Sequence, residues 1–167
     1  MPKSFYLLSS TTVGAGGTST VSFNSISQSY KNLLILYSVR TTNAVTYEGF
    51  KVTFNGSSSS VYDEANWLTT GGTPSSSRNQ PATYNSYHLA CGANATANNF
   101  SNGQFFIANY TNSSIGKTSY FQVSAEPGAM SFGGTDFRTT GALSSITFAT
   151  VSGNFAQNST FTLYAQS

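Results

Sequence analysis

Apolar side chains in this 167-residue chain recur at every second position, and only in short stretches. Phe50, Val52 and Phe54 share one side of an extended segment, with Lys51 and Thr53 on the other. These stretches are rich in Val, Ile, Phe, Tyr and Thr, and clusters of Gly, Asn and Ser end them. A repeat of two is the repeat of a strand, because successive side chains leave a strand on opposite faces. No stretch carries the 3.6-residue repeat of a helix of useful length, so the chain reads as all-β. Strands are predicted over Ser4–Ser9, Thr20–Ile26, Asn32–Thr41, Glu48–Phe54, Ser60–Trp67, Tyr84–Cys91, Gln104–Tyr110, Thr118–Ala125, Asp136–Thr140, Ser145–Val151 and Thr160–Ala165. Leu33, Leu34, Ile35 and Leu36 are apolar on both faces, which predicts a central strand covered on both sides. Gln104–Tyr110 reads the same way.

The breaks between strands are equally patterned. Gly14-Ala15-Gly16-Gly17, Asn55-Gly56, Gly71-Gly72, Gly133-Gly134 and Gly153-Asn154 suit positive-φ turn positions. Asn55-Gly56 reads as the close of a hairpin. The longest loop is expected over Thr69–Thr83, with Gly71-Gly72, Pro74, Ser75-Ser76-Ser77 and Pro81, and is expected to touch something outside its own domain. Many short strands in one domain predict an antiparallel β-sandwich, jelly-roll-like. Residues 1–12 form an N-terminal arm or first strand, and residues 13–167 the single sandwich domain.

Charged residues make up only 7% of the chain, against 38% hydrophobic and 14% aromatic, including thirteen Phe and ten Tyr. That much apolar material offsets the entropy of ordering the chain, so the low charge does not mean disorder. Ser, Thr and Asn supply the surface polarity instead, and little stability then depends on screenable charge. The net charge is +2, and Lys3, Lys31, Arg40, Lys51, Arg78, Lys117 and Arg138 are scattered without a run. Nucleic-acid binding needs a clustered basic stripe, which is not here. The longest apolar run, Leu33 to Tyr37, is far short of the ~20 residues of a membrane-spanning helix. Phe5-Tyr6-Leu7-Leu8 is too short for the h-region of a signal peptide and reads as a first strand. Cys91 is the only cysteine, so the fold is expected to hold by packing alone, in keeping with synthesis in a reducing cytoplasm.

None of the reactive residues forms a constellation. His88 and Cys91 stand three apart in a predicted strand and so point to opposite faces, which denies the thiol a base. One His and one Cys cannot complete a zinc site, and no Asp-x-Asp-x-Asp-Gly loop for calcium occurs. Glu48, Asp63, Glu64, Glu126 and Asp136 are all explicable as surface groups rather than a glycosidase pair. The Gly14–Gly17 stretch lacks the Lys-Ser/Thr of a phosphate loop. No enzyme, metal or cofactor is expected. Phe5, Phe23, Phe50, Phe54, Phe105, Phe121, Phe148 and Phe161 sit at alternating positions and are assigned to the core. Trp67, Tyr84, Tyr87, Tyr110 and Tyr164 lie near strand ends or loops, where aromatics anchor interfaces or stack on sugars. Phe5, Tyr6, Trp67, Tyr84, Tyr87 and Arg78 are the candidate interface residues.

Three stretches occur in a characteristic order. Tyr30-Lys31-Asn32-Leu33 leads into an apolar strand, followed by Val52-Thr53-Phe54-Asn55-Gly56 and then by Ile107-Ala108-Asn109-Tyr110-Thr111-Asn112. The end is Ser145-Ile146-Thr147-Phe148, Ser152-Gly153-Asn154-Phe155 and Ser159-Thr160-Phe161-Thr162-Leu163-Tyr164. From about Ser22 onward this order resembles a group of small structural proteins of tailed bacteriophages. Lys51 and Thr53 depart from the Leu and Arg such proteins tend to carry, and the Thr69–Thr83 segment is particular to this chain. The resemblance implies a virion protein made in the host cytoplasm. Its leading form is a capsid decoration or cement protein, with the major capsid protein and copies of itself as partners, in the manner of the homotrimers many such proteins form. A tail, fibre or baseplate subunit is the second form. A carbohydrate- or receptor-binding module built on Tyr and Trp67 is the alternative of a different class.

Overall fold

A computed structural model describes residues 4–167, and Met1 to Lys3 of the expected N-terminal segment lie outside the described residues. Twelve strands follow in order: β1 Phe5–Thr12, β2 Thr20–Phe23, β3 Asn32–Val39, β4 Tyr47–Phe54, β5 Tyr62–Thr70, β6 Thr73–Ala82, β7 Asn85–Cys91, β8 Ser101–Ile107, β9 Lys117–Ala125, β10 Ala129–Phe137, β11 Ile146–Ala149 and β12 Thr160–Gln166. They form an eight-stranded sheet, β1-β12-β3-β8-β9-β10-β5-β6, and a four-stranded sheet, β2-β11-β4-β7. Every ladder between neighbouring strands is antiparallel.

The order β1-β12-β3-β8 over β2-β11-β4-β7 is the eight-strand double Greek key of a jelly roll, in which the chain repeatedly crosses from one sheet to the other. Two hairpins are added to it. β9–β10 lies between β8 and β11 in the chain, β5–β6 between β4 and β7, and both extend the same sheet from four strands to eight. The fold is therefore an antiparallel β-sandwich with one sheet twice as wide as the other.

These hairpins are where the expected strands need correcting. Thr69–Thr83 is not a loop: Thr70 pairs with Thr73 across Gly71-Gly72, and β6 runs in register with β5 as far as Asn79, where the ladder shifts by one residue before Ala82 pairs with Tyr62. Gly71 and Gly72 have φ of 57° and 84°, the left-handed pair that a two-residue hairpin turn demands. The Ser/Pro-rich strand lacks β-formers, but as an edge it needs only one partner, and Pro74 and Pro81 are tolerated there. Gly133-Gly134, expected as a turn, lies inside β10 instead. A side chain at Gly133 would collide with the Ala65 carbonyl, so glycine lets β10 and β5 approach closely. Asn55-Gly56 closes no hairpin either: it carries the chain from β4 to β5 in the opposite sheet. The Asn55 side-chain oxygen Oδ1 accepts the Ser144 and Ser145 amides there.

The core lies between the sheets and is mostly aromatic. Phe50 is fully buried, with ring centroids of Tyr37, His88 and Phe155 at 5.4, 5.5 and 5.7 Å. Phe148 and Phe161, 4.9 Å apart, complete this cluster. A second group gathers Phe54, Tyr62, Phe105 and Phe137, and the Tyr62 hydroxyl accepts the Phe54 amide at 2.9 Å. Gly103 leaves the space in β8 that the Tyr37 ring fills. Of the aromatics assigned to the core, Phe5 does not belong: it is exposed on the edge strand β1. Tyr110 is the reverse, fully buried with its hydroxyl donating to the Ser27 carbonyl.

Emptying the centre of the larger cluster should cost more than any surface change. Phe50→Ala is expected to destabilise the fold by about 3–5 kcal/mol, measured as a lower urea midpoint at unchanged slope.

Candidate protein-binding face

The wide sheet buries one face against the smaller sheet and turns the other to solvent. Cross-strand register assembles two rows on that outer face. One runs Leu7, Tyr164, Leu34, Phe106, Tyr120 and Gly134 from β1 to β10. The next runs Trp67, Phe132, Gln122, Gln104 and Leu36 from β5 to β3. Phe106 and Tyr120 stack at 5.2 Å, and Trp67 and Phe132 at 6.4 Å. Leu7, Leu36, Trp67, Tyr120, Met130 and Phe132 are all 40% exposed or more, which is unusual for side chains of this size gathered on one face.

Charge is nearly absent from this surface. Alternation places Phe5, Leu7, Asn32, Leu34, Leu36, Phe106, Tyr120, Gln122, Tyr164 and Gln166 outward on β1, β12, β3, β8 and β9, with only Ser, Thr, Asn and Gln beside them. Asp63, Asp136 and Arg78 gather at the β10-β5-β6 corner. There Asp63 accepts from Gln80 at 3.2 Å and pairs with Arg138 at 3.5 Å.

Beneath the β5-β10-β9 part of the face lies a buried polar layer. Asn66 donates to the Ser131 hydroxyl at 3.1 Å, and the hydroxyls of Ser119 and Thr135 bond to each other. Glu64, 2% exposed, reaches across to β7. Its carboxylate accepts the Ser86 and Tyr87 amides at 2.7 and 3.0 Å and the Ser86 hydroxyl at 3.2 Å. These amides lie where the β4–β7 register slips between Phe50↔His88 and Val52↔Asn85, so the carboxylate takes up donors that the irregular ladder frees.

Burial pushes the Glu64 carboxyl up to about 6, against the pull of these three donors. Burial likewise lowers His88 to about 3. The His88 Nδ1 lies 3.1 Å from the Tyr37 hydroxyl, and its Nε2 is buried with no hydrogen-bond partner among the described residues. Cys91 belongs to a different set: its sulfur meets the Ser101 hydroxyl at 3.3 Å and the Glu126 amide at 3.5 Å. Histidine and thiol are thus separately engaged.

The interface candidates separate into two places. Phe5, Trp67 and Arg78 sit at outward positions of the wide sheet. Tyr6 has the opposite parity and rests on Tyr30 at 5.4 Å. Tyr84 lies under the Lys51 ammonium at 4.9 Å, and Tyr87 is half-buried on β7, so neither joins the face. Leu7, Leu34, Leu36, Phe106, Tyr120, Met130 and Phe132 are not among the interface candidates read from the sequence. Parity held the signal: consecutive Phe105-Phe106 must face opposite ways, and Tyr120 occupies the polar side of an alternating strand. No protein-family model, curated protein or solved structure matches the chain.

The two buried groups respond to pH with opposite sign. The raised Glu64 contributes stability that is complete below the ordinary value of 4.5 and lost as pH rises through about 6. The lowered His88 contributes stability that is present above 6.5 and lost as pH falls towards 3. Comparing Glu64→Gln with the parent chain cancels the histidine. The variant should gain about 2 kcal/mol relative to the parent between about pH 4 and about pH 7, read from urea unfolding at stepped pH.

Proposed function

We propose that this chain is a structural protein of a tailed-bacteriophage particle, acting as a capsid decoration or cement subunit. The observation that carries the reading is the outer face of the wide sheet, which gathers large apolar side chains on a nearly uncharged surface. Such a face is suited to adhesion, because little charge has to leave water when it is covered. The order of motifs from Tyr30 to Tyr164 supports the same reading, as does the jelly roll, a form used by viral shell domains among others, which is an analogy of fold alone.

The mechanism is mechanical. Each subunit adds buried contact area to the shell, and separating the shell then requires that area to be exposed again. Partners in this reading are the major capsid protein and further copies of the chain. A surface polar through Ser, Thr and Asn keeps such contacts insensitive to salt.

The test is quantitative mass spectrometry of purified particles. A copy number comparable with that of the major capsid protein is expected. A copy number far below it overturns the shell assignment in favour of a tail or vertex position. Absence from washed particles overturns the virion reading itself.

A further inference from the structure

We infer that the outer face of the eight-stranded sheet is the interface between two copies of this chain, packed sheet on sheet about a two-fold axis. The inference rests on the structural-subunit reading and names the partner that covers its adhesive face.

Area is the first argument. Eight strands spaced ~4.8 Å apart, each seven to ten residues long at ~3.3 Å per residue, present a face of roughly 1,000 Å². A stable interface takes about 800 Å² from each partner. One face of this size therefore suffices without help from loops.

Charge is the second. A foreign partner of definite charge would find almost nothing on β1, β12, β3, β8 and β9 to recognise. A second copy brings the same uncharged surface and so sets no like charges together across these strands. The charged corner carries both signs, Asp63 and Asp136 with Arg78, and lies at one end of the sheet where it falls on the rim.

Side-chain pattern is the third. Leu33–Leu36 and Phe105–Ile107 are apolar on both faces, the composition of strands covered on both sides, yet one chain covers only one side. The stacked pairs Trp67–Phe132 and Phe106–Tyr120 are already held against each other, which lowers the entropy lost on docking. Growth of the sheet sideways is opposed at β6 by Pro74, Pro81 and Arg78, so face pairing is favoured over extension at that edge. Two faces packed about 10 Å apart would interdigitate these rows as the two sheets of a sandwich do.

The experiment is sedimentation velocity of the full chain over a dilution series, with the emission of Trp67 followed on the same samples. Trp67 is the only tryptophan and lies on the face. A species of twice the 17.7 kDa chain mass is expected, with Trp67 emission moving to the blue as it forms. The double variant Tyr120→Lys, Phe132→Lys should weaken the dimer about a hundredfold, since each lysine must be desolvated at the interface. Both positions are about half exposed in the single chain, so the variant should keep the parent's thermal midpoint at dilutions where both are monomeric, and fall below it where the parent is dimeric. Val151→Lys, exposed in the turn after β11, should leave the dimer unchanged. A chain monomeric throughout the series, or an oligomer indifferent to the lysine pair, overturns the inference. So does Trp67 emission that moves in a monomer on addition of soluble polysaccharide, which would assign the face to sugar. A monomer abundant in particles defeats the pairing alone, and a lysine-sensitive dimer missing from particles defeats the shell reading alone.

Discussion

Glu64 joins the added strands to the jelly roll that carries them. Its carboxylate leaves β5 in the wide sheet and closes on two successive amides of β7 in the narrow one, at the place where the β4–β7 ladder slips. Those amides are interior to the protein, and without an acceptor each would cost on the order of 1–3 kcal/mol. The carboxylate is itself buried, so the arrangement is stable only while both sides remain in place. That mutual dependence fixes how far the β5–β6 hairpin can stand from the core. The orientation of Ala65 and Trp67, the outward neighbours of Glu64 and Asn66, follows from it.

The width of the outer face is a consequence of the same attachment. A four-strand sheet would offer half the surface and would lack both the Trp67–Phe132 and the Phe106–Tyr120 stacks in full. With β9–β10 and β5–β6 in place, the two rows cross the sheet over a polar layer of Asn66, Ser119, Ser131 and Thr135. Hydrogen bonds within that layer give direction to strands whose outward side chains are otherwise free. A rigid, uncharged and apolar surface is the result, and the proposed pairing of two copies would give β3 and β8 the cover that their composition calls for.

Much of the architecture is legible in the sequence. Period-two alternation located most strands, because a strand with one buried face must alternate, and Phe23, Phe54, Phe121 and Phe148 went to the core on that ground alone. The hairpin at Gly71-Gly72 was misread because β6 has almost no β-forming residues; its pairing with β5 outweighs that weak local preference. Gly133-Gly134 misled for a related reason, since glycine serves close strand approach as well as turns. Of the candidate interface residues, Phe5, Trp67 and Arg78 take outward positions on the wide sheet, while Tyr87 lies on β7 in the opposite sheet and Tyr84 in the bend that leads into it.

By itself, then, the sequence determined an all-β sandwich, the positions of most of its core phenylalanines and a surface poor in charge. These are local or compositional properties, read from each residue and its nearest neighbours. Tertiary structure alone decided that both extra hairpins widen the same sheet, that Glu64 meets Ser86 and Tyr87, and that residues from seven strands line up as two rows. Strand order is set by pairings between segments distant in the chain, and no local pattern encodes which edge a hairpin joins.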